Sequence, residues 1–199
     1  EFLINSGCKL IVIACNTATT NCISYLRQNY KIPFIGIEPA IKPAALNTKT
    51  GKIGVLATKG TLGSNLFEKT STLHGQNIEI IEKQVNGLVE LIEKGIFSGS
   101  KIDILLEKYI TPMINIGIDK LVLGCTHYPL VINSIEKITK KTIEVIECSN
   151  PVALQTKKIL CSLNLENLEK TEIKNIFYTN GNDNILKAML DEKFEIFKI

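Results

Sequence analysis

Two stretches of this 199-residue chain repeat one pattern, and the repeat limits what the chain can fold into. Lys9-Leu10-Ile11-Val12-Ile13-Ala14-Cys15-Asn16-Thr17 and Lys120-Leu121-Val122-Leu123-Gly124-Cys125-Thr126 each run from lysine through an aliphatic strand to a small residue, a cysteine and a threonine. A glycine suited to closing a helix precedes each (Gly7, Gly117). The pattern describes a buried strand that delivers a thiol to its C-terminal tip, twice. Two matched thiols suit chemistry that needs equivalent acid/base groups facing each other, and racemisation heads that short list.

The surrounding sequence fits strands alternating with helices. Runs rich in Ile and Val at 9–14, 33–37, 52–57, 78–85, 120–124, 143–147 and 173–178 read as strands. Helical patterns lie between them at 18–30, 39–47, 61–70, 86–95, 101–116, 129–139, 150–163 and 182–190. This alternation predicts an α/β fold with parallel sheets covered by helices on both faces. Ile11-Val12-Ile13 and Ile53-Gly54-Val55-Leu56 are apolar enough to be buried on both sides. Asn150-Pro151 and Glu38-Pro39 read as helix openings, and Gly95 and Gly117 as helix ends. The 110 residues between the two cysteines leave room for one compact half apiece, with a cleft between. Ligands on open parallel sheets bind beyond the C-terminal strand ends, where both cysteines fall.

Composition removes several other classes. The 23 basic and 20 acidic residues leave a net charge of only +3, without a basic stripe, which argues against nucleic acid. No apolar run is long enough to span a bilayer. Six cysteines without a CxxC pair point to reduced thiols in a cytoplasm rather than a disulfide framework. The even spacing of Cys8, Cys15 and Cys22 does not converge, because it places one before a strand, one after it and one inside a helix. Zinc is disfavoured, since Cys125 and His127 would need two further ligands and His74 reads as part of a surface loop.

Cys15-Asn16-Thr17 ends a strand and opens a helix, a place where thiols ionise more readily and backbone N–H groups accept an anion. The plainer reading is a buried structural cysteine followed by an Asn/Thr cap. Cys125-Thr126-His127-Tyr128-Pro129 mirrors it, with Pro129 opening the next helix. His127 either exchanges a proton with Cys125 or substrate, or caps that helix. Ala57-Thr58-Lys59-Gly60-Thr61, between a strand and a helix, could cradle an anion but lacks phosphate-loop spacing. It is expected to line the cleft, with Thr61 better placed as a cap than as a ligand.

With both cysteine elements in view, the chain resembles the cofactor-independent glutamate racemases. Ala14-Cys15-Asn16-Thr17-Ala18, Gly36-Ile37-Glu38-Pro39, Ala57-Thr58-Lys59-Gly60-Thr61 and Leu123-Gly124-Cys125-Thr126-His127-Tyr128-Pro129 carry the resemblance, in that order. The resemblance implies two pseudo-symmetric α/β domains around a glutamate-binding cleft. Residues 1–37 with 148–199 would form the first and 38–147 the second. It implies L-/D-glutamate interconversion for peptidoglycan synthesis in the bacterial cytoplasm, with no metal or cofactor, no nucleic-acid or membrane partner, and a homodimer as one option. Cys15 and Cys125 would be the two acid/base residues, assisted by His127. Asn16, Thr17, Thr126 and His127 would bind substrate, with Thr58 and Thr61 in the same cleft. A glutamate supports the histidine in that family, and Glu93 fits its Glu-x-Gly spacing best. Glu90 lies one turn away, and both could instead form a solvated helix face.

The family's Asp-Ser-Gly and Pro-Tyr-Gly loops are not found here. The opening residues, Glu1 to Gly7, read as the tail of a helix. The expectation is therefore an N-terminally shortened chain that is unstable or inactive alone. Three rivals stay open: a racemase of aspartate or hydantoins, a non-catalytic carboxylate binder, and a thiol-transfer enzyme.

Overall fold

The structure is a computed structural model that describes residues 1–75, 77–168, 175–190 and 194–199. In chain order, helix α1 (Phe2–Asn5) leads to strand β1 (Ile11–Ile13), helix α2 (Asn16–Asn29), strand β2 (Phe34–Gly36) and helix α3 (Ile41–Asn47). Strand β3 (Lys52–Ala57), helices α4 (Lys59–Leu62) and α5 (Asn65–His74), strand β4 (Glu79–Gln84), and helices α6 (Leu88–Ile92) and α7 (Ser100–Ile116) follow. Then come strand β5 (Lys120–Gly124), a 3-10 turn (Tyr128–Val131), helix α8 (Ile132–Thr139), strand β6 (Glu144–Ile146) and helix α9 (Ser149–Ser162). Strand β7 (Ile176–Thr179), helix α10 (Asp183–Met189) and strand β8 (Glu195–Lys198) complete the described chain.

The fold is α/β with parallel sheets. The largest sheet has the order β4-β3-β5-β6 with every pairing parallel. Its two central strands are buried along nearly their whole length, and alternate side chains leave on opposite faces. Leu56, Leu121 and Leu123 pack with Leu88 and Ile92 of α6, with Ile102, Leu106, Ile110 and Met113 of α7, and with Ile135 of α8. On the other face Ile53, Val55, Ala57 and Val122 meet Ile41 and Ala44 of α3 and Phe67 of α5. Ile102, Leu106, Ile110 and Met113 recur at helical spacing and are all fully buried, so one stripe anchors α7. Each such side chain contributes about 1.5–3 kcal/mol relative to exposure. Gly117 ends α7 with φ at +93°, a left-handed conformation that glycine adopts without strain.

Strands β1 and β2 form a separate parallel pair, as do β7 and β8. This alters one expectation. Val12 in β1 is 38% exposed, so β1 is not buried on both faces as β3 and β5 are. Its apolar run is covered by α2 on one side only, and apolarity alone does not say how many neighbours a strand has.

Other differences lie at element ends. The helix expected over 61–70 is two helices, because Ser64 restarts the chain by accepting a hydrogen bond from the Phe67 amide. His74 closes the second of these rather than lying in a loop. The span 86–95 shrinks to the five residues of α6, and the helix after Cys125 begins as a 3-10 turn. Helix α3 starts at Ile41, two residues beyond Pro39, and α9 starts at Ser149 with Cys148 at the cap position. The strand expected over 173–178 is seen as β7, and 173–174 lie outside the described residues. Strand β8 was not expected.

Candidate active site

Cys15 occupies the cap position of α2 in extended conformation, and its Sγ accepts from the Ala18 amide at 3.5 Å. The thiol is exposed while its neighbour Asn16 is only 2% exposed. Asn16 Nδ2 is buried without a hydrogen-bond partner, an arrangement that costs free energy until an acceptor arrives. A carboxylate is such an acceptor.

The Thr17 hydroxyl crosses to the other sheet. It lies 2.7 Å from Thr58 Oγ1 and 3.0 Å from Thr61 Oγ1, and those two are 3.2 Å apart. Asn21 Nδ2 spans the same gap, donating to the Thr17 carbonyl at 2.8 Å and the Gly60 carbonyl at 3.1 Å. Gly60 has no room for a side chain, because a Cβ there would stand 2.6 Å from Thr17 Cγ2. Thr61 is fully buried as part of this hydroxyl cluster and does not cap α4, whose cap position belongs to Thr58.

The second thiol arrives by register. Ala57 pairs with Gly124 across β3 and β5, so Thr58 and Cys125 leave neighbouring strand ends side by side. Cys125 is 8% exposed, and Gly124 before it is wedged against the chain. His127 Nδ1 lies 3.9 Å from Cys125 Sγ, and its Nε2 is hydrogen-bonded to Glu93 Oε1. Ile92, fully buried, anchors α6 so that Glu93 at its C-terminal end reaches the imidazole. Glu90 acts elsewhere, adding to the field at Tyr128, whose hydroxyl is held well above its ordinary pKa chiefly by burial. The sulfur of Cys125 and the Glu93 carboxylate outweigh desolvation at His127 and raise its pKa to about 9. The imidazole is therefore a cation at neutral pH, with one N–H directed at sulfur and the other at carboxylate.

Residues next to the two cysteines line one cleft. A cleft of about 580 Å³ is lined by Val12, Ala14, Ile37 and Thr126, with Val152 and Thr156 of α9 behind them. Ala14 adjoins Cys15 and Thr126 adjoins Cys125. Thr126 also lines a second cavity of about 400 Å³ with His127 and Glu93, beneath Tyr178 and Asn182. Cys148 is not part of this centre: its thiol donates to the Glu38 carbonyl at 2.8 Å, and burial pushes its pKa up to about 11. Sequence reading missed Thr19, Asn21 and Gly60 as supports of the site. The available signal was the place of Thr19 and Asn21 within two turns of Cys15 and of Gly60 beside Thr61.

The chain is a parallel α/β protein with a cysteine just beyond each of two strand ends, and the neighbours of those cysteines, Ala14 and Thr126, line one cleft. Comparison with known proteins narrows that class: the model of the Asp/Glu/Hydantoin racemase family matches residues 2–153. The glutamate racemase of Clostridium perfringens is 39% identical over 194 residues, 97% of this chain and 72% of the relative. Among solved structures, glutamate racemase isoform RacE1 from Bacillus anthracis superposes with a TM-score of 0.85 at 28% identity, covering 100% of this chain and 76% of that one. The Escherichia coli glutamate racemase in complex with L-glutamate and the activator UDP-MurNAc-ala gives 0.83 at 27% identity, covering 99% and 76%. This chain belongs to the Asp/Glu/Hydantoin racemase family.

Proposed function

We propose that this protein interconverts L- and D-glutamate by proton transfer at Cα between Cys15 and Cys125. The observation that supports the reading is the cleft that Ala14 and Thr126 line together, each next in sequence to one of the two cysteines. Relatives named glutamate racemases favour glutamate over the family's other substrates.

In this mechanism one cysteine acts as thiolate and takes the α-proton, and its S–H bond forms as the Cα–H bond breaks. The electron pair left on carbon is delocalised into the adjacent carboxylate. The opposite thiol gives its proton to the other face of Cα and becomes the thiolate. The protein is left with reversed protonation, which exchange with solvent restores. Two bases avoid turning the carbanion within the site. Asn16 Nδ2 and the hydroxyls around Thr17 and Thr126 hold the substrate's polar groups, Thr58 and Thr61 set the Thr17 hydroxyl in place, and the His127 cation, held by Glu93, stands beside the Cys125 sulfur where charge changes during proton transfer.

The same reading divides the chain into residues 1–37 with 148–199, and 38–147, each half supplying one thiol. It places the product in peptidoglycan synthesis in a bacterial cytoplasm. Among the described residues no helix is long and apolar enough to cross a membrane. Chiral chromatography of incubations with L-glutamate, D-glutamate, L-aspartate and a hydantoin tests substrate choice. Conversion of both glutamate enantiomers alone is expected, which would also set aside the expectation of an inactive chain, and turnover of aspartate or hydantoin in their place would contradict the reading.

A further inference from the structure

We propose that Thr19 is a positioning residue that fixes Cys15 at the end of β1, an inference that rests on the two-thiol reading above. The thiol sits on a two-residue step, Ala14-Cys15, between the end of β1 and the start of α2. Thr19 is the side chain that pins this step from both sides. It is fully buried, and its hydroxyl donates to the Ile13 carbonyl at 3.1 Å and accepts from the Ile37 amide at 3.0 Å. Its own amide donates to the Cys15 carbonyl at 2.8 Å. Threonines inside helices usually turn their hydroxyl to a carbonyl of the preceding turn. Here the hydroxyl is committed to the two strand ends of the β1–β2 pair.

The methyl group is fixed as well. A Cβ on Gly36 would stand 2.5 Å from Thr19 Cγ2, so the strand backbone approaches the threonine directly. Helix α2 therefore cannot slide or rotate against β1 and β2 without breaking a hydrogen bond or a contact at Thr19. Ile37, whose amide donates to that hydroxyl, also lines the cleft. Cys125 is held by other means, through β5 in the centre of the large sheet, so Thr19 governs one thiol and leaves the other alone.

Thr19→Val keeps the shape and removes the hydroxyl, leaving the Ile37 N–H and Ile13 C=O without their partner. Thr19→Ser keeps the hydroxyl and removes the methyl. Two measurements on the whole chain decide the matter: steady-state deuterium exchange at glutamate Cα, and alkylation rates of Cys15 and Cys125 followed peptide by peptide without substrate. Thr19→Val is expected to lower kcat about tenfold or more while KM stays within about twofold, because misplacement harms the transition state more than binding. It should change the Cys15 alkylation rate about threefold or more and leave Cys125 near wild type, and Thr19→Ser should restore both readouts. A Thr19→Val kcat within about twofold of wild type, an equally impaired Thr19→Ser, or parallel changes at both thiols would overturn the proposal. Absence of exchange in the wild type would count against the racemase reading instead, and the alkylation rates would still judge Thr19.

Discussion

At the scale of single residues, His127 carries the clearest electrostatic signature. Its pKa stands near 9 against an ordinary 6.5, raised by the hydrogen bond to Cys125 and by Glu93. A raised folded-state pKa means that folding favours the protonated form. The stabilisation is therefore fully present below about pH 6.5 and lost as pH climbs through about 9. Thermal melts of wild type and His127→Asn should differ most at pH 6 to 6.5 and converge by about pH 9.5. A difference that stays constant across that range would contradict the assignment. The Glu-x-Gly spacing favoured Glu93 but left Glu90, one helical turn away, as an alternative. The end of α6, fixed by buried Leu88 and Ile92, made the choice. Asn16 and Thr17 were legible as polar residues at a helix start. Their different tasks, one an unpartnered donor and the other a tie between sheets, depend on neighbours distant in sequence.

At the scale of elements, β5 and the turn after it set the position of Cys125. Gly124 has no space for a side chain: a Cβ would lie 2.8 Å from Ala57 Cβ and 3.1 Å from the Leu56 carbonyl oxygen. Because backbone is part of that contact, Gly124→Ala should destabilise the protein by about 1–3 kcal/mol and lower turnover with it. Chemical denaturation measures the first effect and α-proton exchange the second, and an unchanged midpoint would show that β3 and β5 separate more freely than described. The central strands β3 and β5 were readable because burial on both faces leaves continuous aliphatic runs. Helix breaks were less so. Gly63-Ser64 interrupts α4 and α5 through a capping bond that competes with an otherwise continuous helical pattern. The 3-10 turn at Tyr128–Val131 likewise replaces helix where Tyr128 is drawn into the core. The partial exposure of β1 could not be read from Ile11-Val12-Ile13, since those residues would look the same in a strand with two neighbours.

At the scale of the whole molecule, the near-repeat of strand, cysteine and threonine is expressed unequally. Cys15 is exposed at the tip of a two-stranded pair, whereas Cys125 is buried at the tip of a four-stranded sheet with His127 and Glu93 behind it. In the proposed mechanism the two thiols exchange roles with the direction of reaction. The hydroxyl cluster of Thr17, Thr58 and Thr61 ties the start of α2 to the start of α4, and Ala14 and Thr126 line one cleft. The decisive measurement follows glutamate in deuterated water by proton NMR and chiral separation, for wild type, Cys15→Ser and Cys125→Ser. Two opposed thiols predict deuterium in the inverted product from the first turnovers and almost none in the remaining substrate. Loss of turnover in either variant should be about 10²- to 10⁴-fold. Equal labelling of both enantiomers at early times, or a variant that turns over within about tenfold of wild type, would contradict the account.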